Sequence, residues 1–354
     1  MPRLIQALPE GPIDLVGDVH GELEALLALL HRLGVDPERG TARRPVVFVG
    51  DLVDRGPDSV GVVALFARLR DAGIAYGVAG NHELNLLAED RKEGNGWYWG
   101  DADDHAQIDG THVRFGSRVA TASDRAAVRN VLSELPLVLE RRDLRVVHAC
   151  WDANAGMRLP EEGDIAELAA AYSYAIDQDL AARGVPEQAA AERAAFAGLK
   201  DARVRPDRHL RAVAEEDAAH QLHNPVKMLT SGREVEVPPG GHFFVGGKWR
   251  FVTRDRWWRR PVDRPTVVGH YWRRRGAPIP GKFDVWDDVN TFAWAGGVYC
   301  VDYSVGRRYA ERARGRNGGF DGGLAALRWP EGELVFDDLD DRVVTERAPV
   351  PTYR

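Results

Sequence analysis

Three short, largely apolar runs, Ile13 to Val16, Val46 to Val49 and Ile74 to Ala79, each stop at a glycine followed by polar residues. Runs this short, bounded by turn-forming residues, predict buried strands rather than helices. The segments between them carry a different period. Leu23, Leu26, Leu27, Leu30 and Leu33 fall at helical spacing and predict a helix over Gly21 to Leu33 with one core-facing stripe. Ser59 to Arg70 predicts a second helix, with Ser59 as its N-cap. Ser123 to Leu135, stopped by Pro136, predicts a third, and Leu144 to His148 a further strand. The alternation of strand and helix predicts an α/β architecture, a layered sheet with helices packed on it.

Beyond the fourth strand the pattern changes. Residues 164 to 220 become rich in Ala and Glu and predict helices over roughly 164–183, 187–199 and 208–222, broken near Gly184 and Pro186 and around Arg205-Pro206. Residues 224 to 262 are rich in Gly, Pro, Arg and Trp. They predict solvent-edged strands whose tryptophans cover the core, in preference to a nucleic-acid stacking surface. Strands return over Thr266 to Gly269, Thr291 to Ala295 and Gly297 to Asp302. Leu324 to Arg328 and Glu333 to Phe336 flank Pro330-Glu331-Gly332 and predict a hairpin. The tail from Arg347 to Arg354 is expected to be loose. We therefore expect one domain over residues 1–354, with 153–260 as a helical insertion walling one side of the site.

The candidate chemistry sits where the early strands end. Gly17-Asp18-Val19-His20-Gly21, Gly50-Asp51-Leu52-Val53-Asp54-Arg55-Gly56 and Gly80-Asn81-His82-Glu83 each follow a predicted strand. Open α/β sheets place their sites at the carboxyl ends of strands. Asp, His, Asp and Asn side chains suit hard and borderline divalent metals such as Mn²⁺, Fe or Zn²⁺. Two later histidines, His148 after Val146-Val147 and His270 after Val267-Val268-Gly269, stand in the same position relative to apolar runs.

These blocks resemble the signature of calcineurin-like metallophosphoesterases, in particular the phosphoprotein-phosphatase branch. Arg55-Gly56-Pro57-Asp58-Ser59 and Asn81-His82-Glu83-Leu84-Asn85-Leu86-Leu87 are also similar to the bacterial diadenosine-tetraphosphatase relatives. The resemblance covers residues 13 to 85, is shorter around 144 to 152 and 265 to 303, and is absent between about 153 and 260. It implies two layered sheets flanked by helices and a pair of divalent ions, Mn²⁺ foremost with Fe or Zn²⁺ as alternatives. It implies that Asp18, His20 and Asp51 hold one ion, and that Asp51, Asn81, His148 and His270 hold the other. Water between two such ions would attack phosphorus in line. The resemblance further implies His82 as general acid, Asp54 as the carboxylate that orients it, and Arg55 as a phosphate clamp. The second phosphate-binding arginine stays open among Arg158, Arg233, Arg250 and Arg273. Trp151, two residues past Ala149, is expected to narrow the pocket.

The implied function is a metal-dependent phosphoesterase, a hydrolase acting on ester bonds. A serine/threonine protein phosphatase and a symmetrical bis(5'-nucleosyl)-tetraphosphatase-like nucleotide hydrolase are the two substrate readings. Its substrate is then a phosphorylated small molecule, a nucleotide or a phosphoprotein. A metal-bound scaffold is the non-enzyme alternative. Decayed scaffolds lose a ligand or the acid, and here each has a counterpart.

Composition narrows the partners. The 354 residues are 44% apolar and 29% charged, with a net charge of −7. An acidic surplus argues against general nucleic-acid or membrane-surface binding. No apolar run reaches about 18 residues, and Met1 to Glu10 makes a poor signal peptide. A cytoplasmic location is the expectation. Cys150 and Cys300 are expected to be buried small hydrophobes rather than a redox pair. His31, His105, His112, His209, His220, His223 and His242 are expected to be structural.

Overall fold

Ile13–Val16, Val46–Phe48 and Ala75–Gly77 are adjacent parallel strands. The computed structural model, which describes residues 1–346 apart from 109–110, 246, 276–285 and 287–289, extends them into a six-stranded sheet. Ala325–Trp329 pairs antiparallel to Ile13–Val16, then Glu333–Phe336 and Val343–Val344 follow. A second sheet of five strands has the order Ile5–Ala7, Val138–Arg141, Leu144–Val147, Thr266–Val268, Val298–Cys300. Its last three strands are parallel.

The period of two along each strand sends alternate side chains to opposite faces. Leu15 and Val47 join Leu139, Val146, Val267 and Tyr299 in one buried cluster, so the two sheets face each other. Val46 and Phe48 point the other way, onto the helices Leu23–Leu33 and Ser59–Asp71. The first helix buries Leu26, Leu29, Leu30 and Leu33, while Leu27 is 42% exposed. The seam therefore runs through Leu29, and Leu27 sits off it.

Two expectations need correction and a third holds. The cap of the second helix is Asp58, whose carboxylate accepts Gly61 N–H; Ser59 Oγ instead accepts Asp54 N–H at 2.9 Å. Thr291 to Ala295 forms no strand. Ala293 and Ala295 make isolated bridges only, because Gly296 and Gly297 turn the chain back so that Ala295 pairs with Val298. The expected break between the first two inserted helices falls at Arg183–Gly184, and Pro186 sits just past it in the first turn of Val185–Ala195, where its missing N–H has no partner to lose. Residues 347–354 lie outside the described residues.

Between the strands Leu144–Val147 and Thr266–Val268 the chain forms the helices Ile165–Ala182, Val185–Ala195, Arg211–His223 and Pro225–Ser231. The two-stranded sheets Glu234–Glu236/Val252–Arg254 and Phe243–Val245/Lys248–Arg250 follow. Ala189, Val213, Trp249 and Phe251 make a small cluster of their own. Ile165, Val226, Leu229, Trp257 and Trp258 belong to the main core. Pro225–Ser231 packs against Asn81–Leu87, and Leu229 C=O accepts the N–H of Ala149, the residue after His148. No described helix is long and apolar enough to cross a membrane.

Candidate metal centre and active site

Each loop of the site is held by close backbone packing that only glycine permits. A Cβ on Gly17 would stand 2.4 Å from Val301 C=O, and one on Gly80 would stand 2.2 Å from Asp51 Oδ1. Val19 and His20 N–H both donate to Asp51 C=O, at 3.0 and 2.9 Å. The first and second loops are thereby stitched together. The second and third are joined by Glu83, whose carboxylate accepts the N–H groups of Asp51, Leu52 and Gly80, each at 2.8 Å.

Among the described residues, the non-glycine residues with positive φ are His20, Asp51, Asp54, Arg55, Glu89, His270, Trp272 and Ser304. All but Glu89 lie in the site or in loops that carry it. Left-handed backbone costs such residues on the order of 1–3 kcal/mol each and persists only where surrounding contacts over-determine it. The Glu83 bonds and the glycine contacts are of that kind.

The structure brings together Asp18, His20, Asp51, Asp54, Arg55, Asn81, His82, His148 and His270. Oδ2 of Asp51 is the hub: Nε2 of His148, His20 and His82 lie 3.3, 3.8 and 3.9 Å from it. Asp18 Oδ2 is 3.9 Å from His20 Nε2 and accepts the His270 N–H at 3.0 Å. Asn81 Oδ1 is 2.9 Å from His270 Nδ1. His82 Nδ1 is 2.5 Å from Asp54 Oδ2, and Asp54 Oδ1 accepts the Trp97 indole N–H at 2.8 Å. Arg55 Nη1 lies 3.0 Å from His20 Nε2.

Among the described residues, two groups of donors could hold cations. His20, Asp51 and His82 form one and Asp51, His148 and His270 the other; within each, the donor atoms lie within 4.8 Å of one another. His148 directs Nδ1 to Val49 C=O at 2.8 Å, which leaves the lone pair of Nε2 facing Asp51. That Nε2 is fully buried and makes no hydrogen bond, and neither does His270 Nε2. A buried polar atom without a partner is costly, and a cation between His148 and Asp51 would satisfy both.

The electrostatics point the same way. Burial, then the neighbouring Asp302, holds the Asp18 carboxyl well above its usual range. Burial also raises Asp302. Burial alone would lower His148, but the Asp51 carboxylate overrides it and pushes the imidazole up to about 10. Burial would raise Asp51, but His148 and His82 hold it well below the usual carboxylate range. Burial and Arg55 hold His20 low, and burial and Arg254 hold His270 low, so both stay neutral and able to ligate. Three buried carboxyl groups, with neutral His20 and His270 and an Asp51 carboxylate that draws positive charge onto His148, form a site built for positive charge, which a cation beside His148 Nε2 would supply in place of a proton.

Several contributors carry no signal in the sequence. Asp302 accepts the N–H of Trp272 at 2.7 Å and of Ser304 at 2.8 Å, fixing two loops beside the site. Trp97 reaches Asp54 from a helix, Gly96–Trp99, that no strand-end pattern marks. Of the open arginines, Arg233 pairs with Asp152 and Asp255, and Arg250 with Glu234. Arg273 is buried and donates to Cys300 and Asn290 carbonyls. Arg158 borders a separate cavity among the inserted helices. Among the described residues, Arg254 lies over the Tyr271 ring at 5.8 Å, and its charge helps hold His270 low. Trp151 lies under Arg145 at 3.7 Å and packs against Gly156. Cys150 and Cys300 are free and buried, and burial pushes both thiols up.

Residues 11–151 match the family model of the calcineurin-like phosphoesterases. This stretch belongs to that family. All of its predicted site residues except His270 lie inside the match. Over 74 residues the chain is 49% identical to the asymmetrical bis(5'-nucleosyl)-tetraphosphatase PrpE of Oceanobacillus iheyensis, covering 20% of this chain and 30% of that protein. Over 77 residues it is 42% identical to the symmetrical bis(5'-nucleosyl)-tetraphosphatase of Ralstonia nicotianae, covering 22% and 25%. The chain thus matches less than a third of the length of these relatives. A protein serine/threonine phosphatase from Saccharomyces cerevisiae superposes with a TM-score of 0.46 at 13% identity, covering 98% of this chain and 86% of that one. At that score the likeness has no bearing on the reaction. The calcineurin-like stretch carries the first three loops and His148, while His270, Asp302 and Arg254 come from beyond it.

Proposed function

We propose that this protein hydrolyses phosphate esters at a centre of two divalent ions. Asp18, His20 and Asp51 would hold one ion, and Asp51, Asn81, His148 and His270 the other. The observation that carries the reading is the convergence on Asp51 Oδ2 of three imidazole nitrogens, with His148 Nε2 lacking any hydrogen bond. Mn²⁺ suits this mixed oxygen and nitrogen set, and Fe and Zn²⁺ are the alternatives.

When bound, such a pair supplies a water activated near neutral pH and neutralises phosphate charge. The protein supplies the rest. Arg55 offers a planar fork of donors to phosphate oxygens. His82, at the rim of the cluster and 4% exposed, donates a proton to the leaving oxygen. Asp54 holds the His82 ring through Nδ1, so the proton to be donated sits on Nε2. Trp97 fixes the other oxygen of Asp54, so the carboxylate cannot turn away. Arg254, carried by the insertion, would add positive charge on the His270 side. Residues 153–260 would then wall that side of the site.

The names of the aligned relatives favour a dinucleoside polyphosphate substrate over a phosphoprotein. A cytoplasmic location accords with the two buried free thiols and the acidic composition. The test is hydrolysis of p-nitrophenyl phosphate, a phosphopeptide and diadenosine tetraphosphate by the purified protein with Mn²⁺ added. Turnover of at least one, lost in Asp51→Asn, is expected. No turnover of any would overturn the reading.

A further inference from the structure

Two of the inserted helices, Ile165–Ala182 and Arg211–His223, do not fill the space between them. A cavity of about 520 Å³ lies there, a volume in the range of small-molecule sites. Ala175 of the first helix and Ala218 and Ala219 of the second line it, and their short side chains leave room that leucines would take. Ile176, Leu180 and Ala219 belong to a small apolar cluster separate from the main core and give the cavity an apolar side. None of the metal donors lines it.

The charges at the cavity divide into engaged and free. Arg183 donates to Asp179 at 2.9 Å and pairs with Glu215. Glu236 takes His209 at 2.7 Å. Each carboxylate of the lining therefore has a partner. Arg158 and Arg211 line the same cavity, and neither guanidinium makes an ion pair or a hydrogen bond with any described residue. Burial, then Arg158 and Arg183, hold the His223 imidazole low, so it offers hydrogen bonds rather than charge. The Tyr172 hydroxyl donates to Arg158 C=O, which ties the first helix to the end of the short helix Ala153–Arg158.

One exposed arginine alone implies nothing. Two that border one apolar cavity, where every acid is already engaged, are complementary to an anion that enters it. We propose that the cavity between these two helices is a second ligand site, separate from the metal centre, for a small organic anion with an apolar body. Arg158 and Arg211 take the anionic group, and Ile176, Leu180 and Ala218 cover the body. The inference does not depend on the phosphoesterase reading. The site is also joined to the metal donors. Asn224, the residue after His223, donates to Ala169 C=O at 2.8 Å on the first helix and caps Pro225–Ser231. Leu229 of that last helix holds the N–H of Ala149, beside His148.

The test titrates the full chain, with Mn²⁺ present, with anilinonaphthalene sulfonate and with N-phenylnaphthylamine, the same aromatic body without the anionic group. The sulfonate should saturate at about one per chain and bind roughly tenfold tighter than the neutral amine, since a charged hydrogen bond separates them. Arg158→Ala and Arg211→Ala, both at exposed positions, should each weaken the sulfonate about fivefold or more with an unchanged Tm. Ala218→Leu should weaken both probes by filling the cavity. Asp51→Asn should leave both affinities at the wild-type value. AMP and octanoate, added as competitors, separate a flat nucleotide-like body from a flexible acyl one, and displacement by neither overturns the ligand class. Equal affinity for the two probes, an unchanged affinity in the Arg158→Ala, Arg211→Ala double variant, or loss of binding in Asp51→Asn would overturn the site.

Discussion

His82 directs Nδ1 at Oδ2 of Asp54 over 2.5 Å, with both side chains buried. Such a pair fixes the tautomer of the ring and leaves Nε2 as the atom that can deliver a proton. His82→Ala should lower kcat by about 10²–10⁴-fold while bound metal stays near wild type. The loss should be smaller for aryl phosphates with good leaving groups, which need less protonation. Equal losses across a leaving-group series would remove His82 from the role. Asp54→Asn should lower kcat more than it changes KM.

Glu83 joins two of the site loops through three backbone N–H bonds. Gln at this position offers one acceptor oxygen and turns an NH₂ group towards N–H donors. Glu83→Gln should cost about 1–3 kcal/mol of stability, measured by urea unfolding. Because Asp51 hangs on the same loop, metal occupancy should fall as well.

Metal stoichiometry tests the ligand sets directly. His148→Ala should reduce bound Mn²⁺ from about two ions to about one per chain, measured by elemental analysis after desalting. Chelator treatment of the wild type should lower Tm, because a ligand bound only by the native state stabilises it. Re-addition of Mn²⁺ should restore it. A wild-type Tm insensitive to both steps would count against a structural contribution from the ions.

Arg254 tests the role of the insertion. It acts on His270 from the strand Val252–Arg254. Arg254→Ala should raise KM by roughly tenfold, equivalent to about 1.4 kcal/mol, for aryl phosphate and tetraphosphate alike. An unchanged KM for both in Arg254→Ala would leave residues 153–260 without a part in substrate binding.

Asp14 gives a pH dependence remote from the metal donors. It is fully buried in the first strand of the large sheet, 3.6 Å from Arg328, and neither carboxylate oxygen has a hydrogen-bond partner. Burial raises its carboxyl from 3.8 to about 6. The folded state therefore holds the proton more tightly than the unfolded chain. The stability it contributes is fully present below pH 3.8 and is lost as pH rises through 6. Asp14→Asn cannot ionise and escapes that loss. Its stability relative to wild type should rise by up to about 3 kcal/mol between about pH 4 and pH 7, since each tenfold difference in proton affinity is worth about 1.4 kcal/mol. A constant difference across that range would show that folding leaves the Asp14 carboxyl unshifted.

What the amino-acid order determined is local. The apolar runs at Ile13, Val46 and Leu144 became strands because short runs bounded by glycines have few other ways to be buried. The helices between Ile165 and His223 were legible because Ala and Glu over fifty residues favour little else. Asp18, His20, Asp51, Asn81 and His82 were legible because strand ends bring close neighbours in sequence to one edge of the sheet. Leu27 and Ser59 depart from their expected places, since the exact seam of a helix and the identity of its cap depend on what packs against them. Thr291 to Ala295 has the composition of a strand, but the glycine turn after it withdraws the chain from its neighbour.

Only the tertiary structure decided the rest of the site. Asp302 stands 284 positions beyond Asp18 in the chain, and no pattern of period two or 3.6 links them. Trp97 and Arg254 reach the same loops from the helix Gly96–Trp99 and the strand Val252–Arg254. Their roles follow from long-range packing, which sums many weak contacts across the chain. The positive φ angles at Asp51, Arg55 and His270 are likewise invisible in the residue types. Such angles exist because Glu83, Asp302 and the close glycines hold the backbone where isolated peptides would not stay.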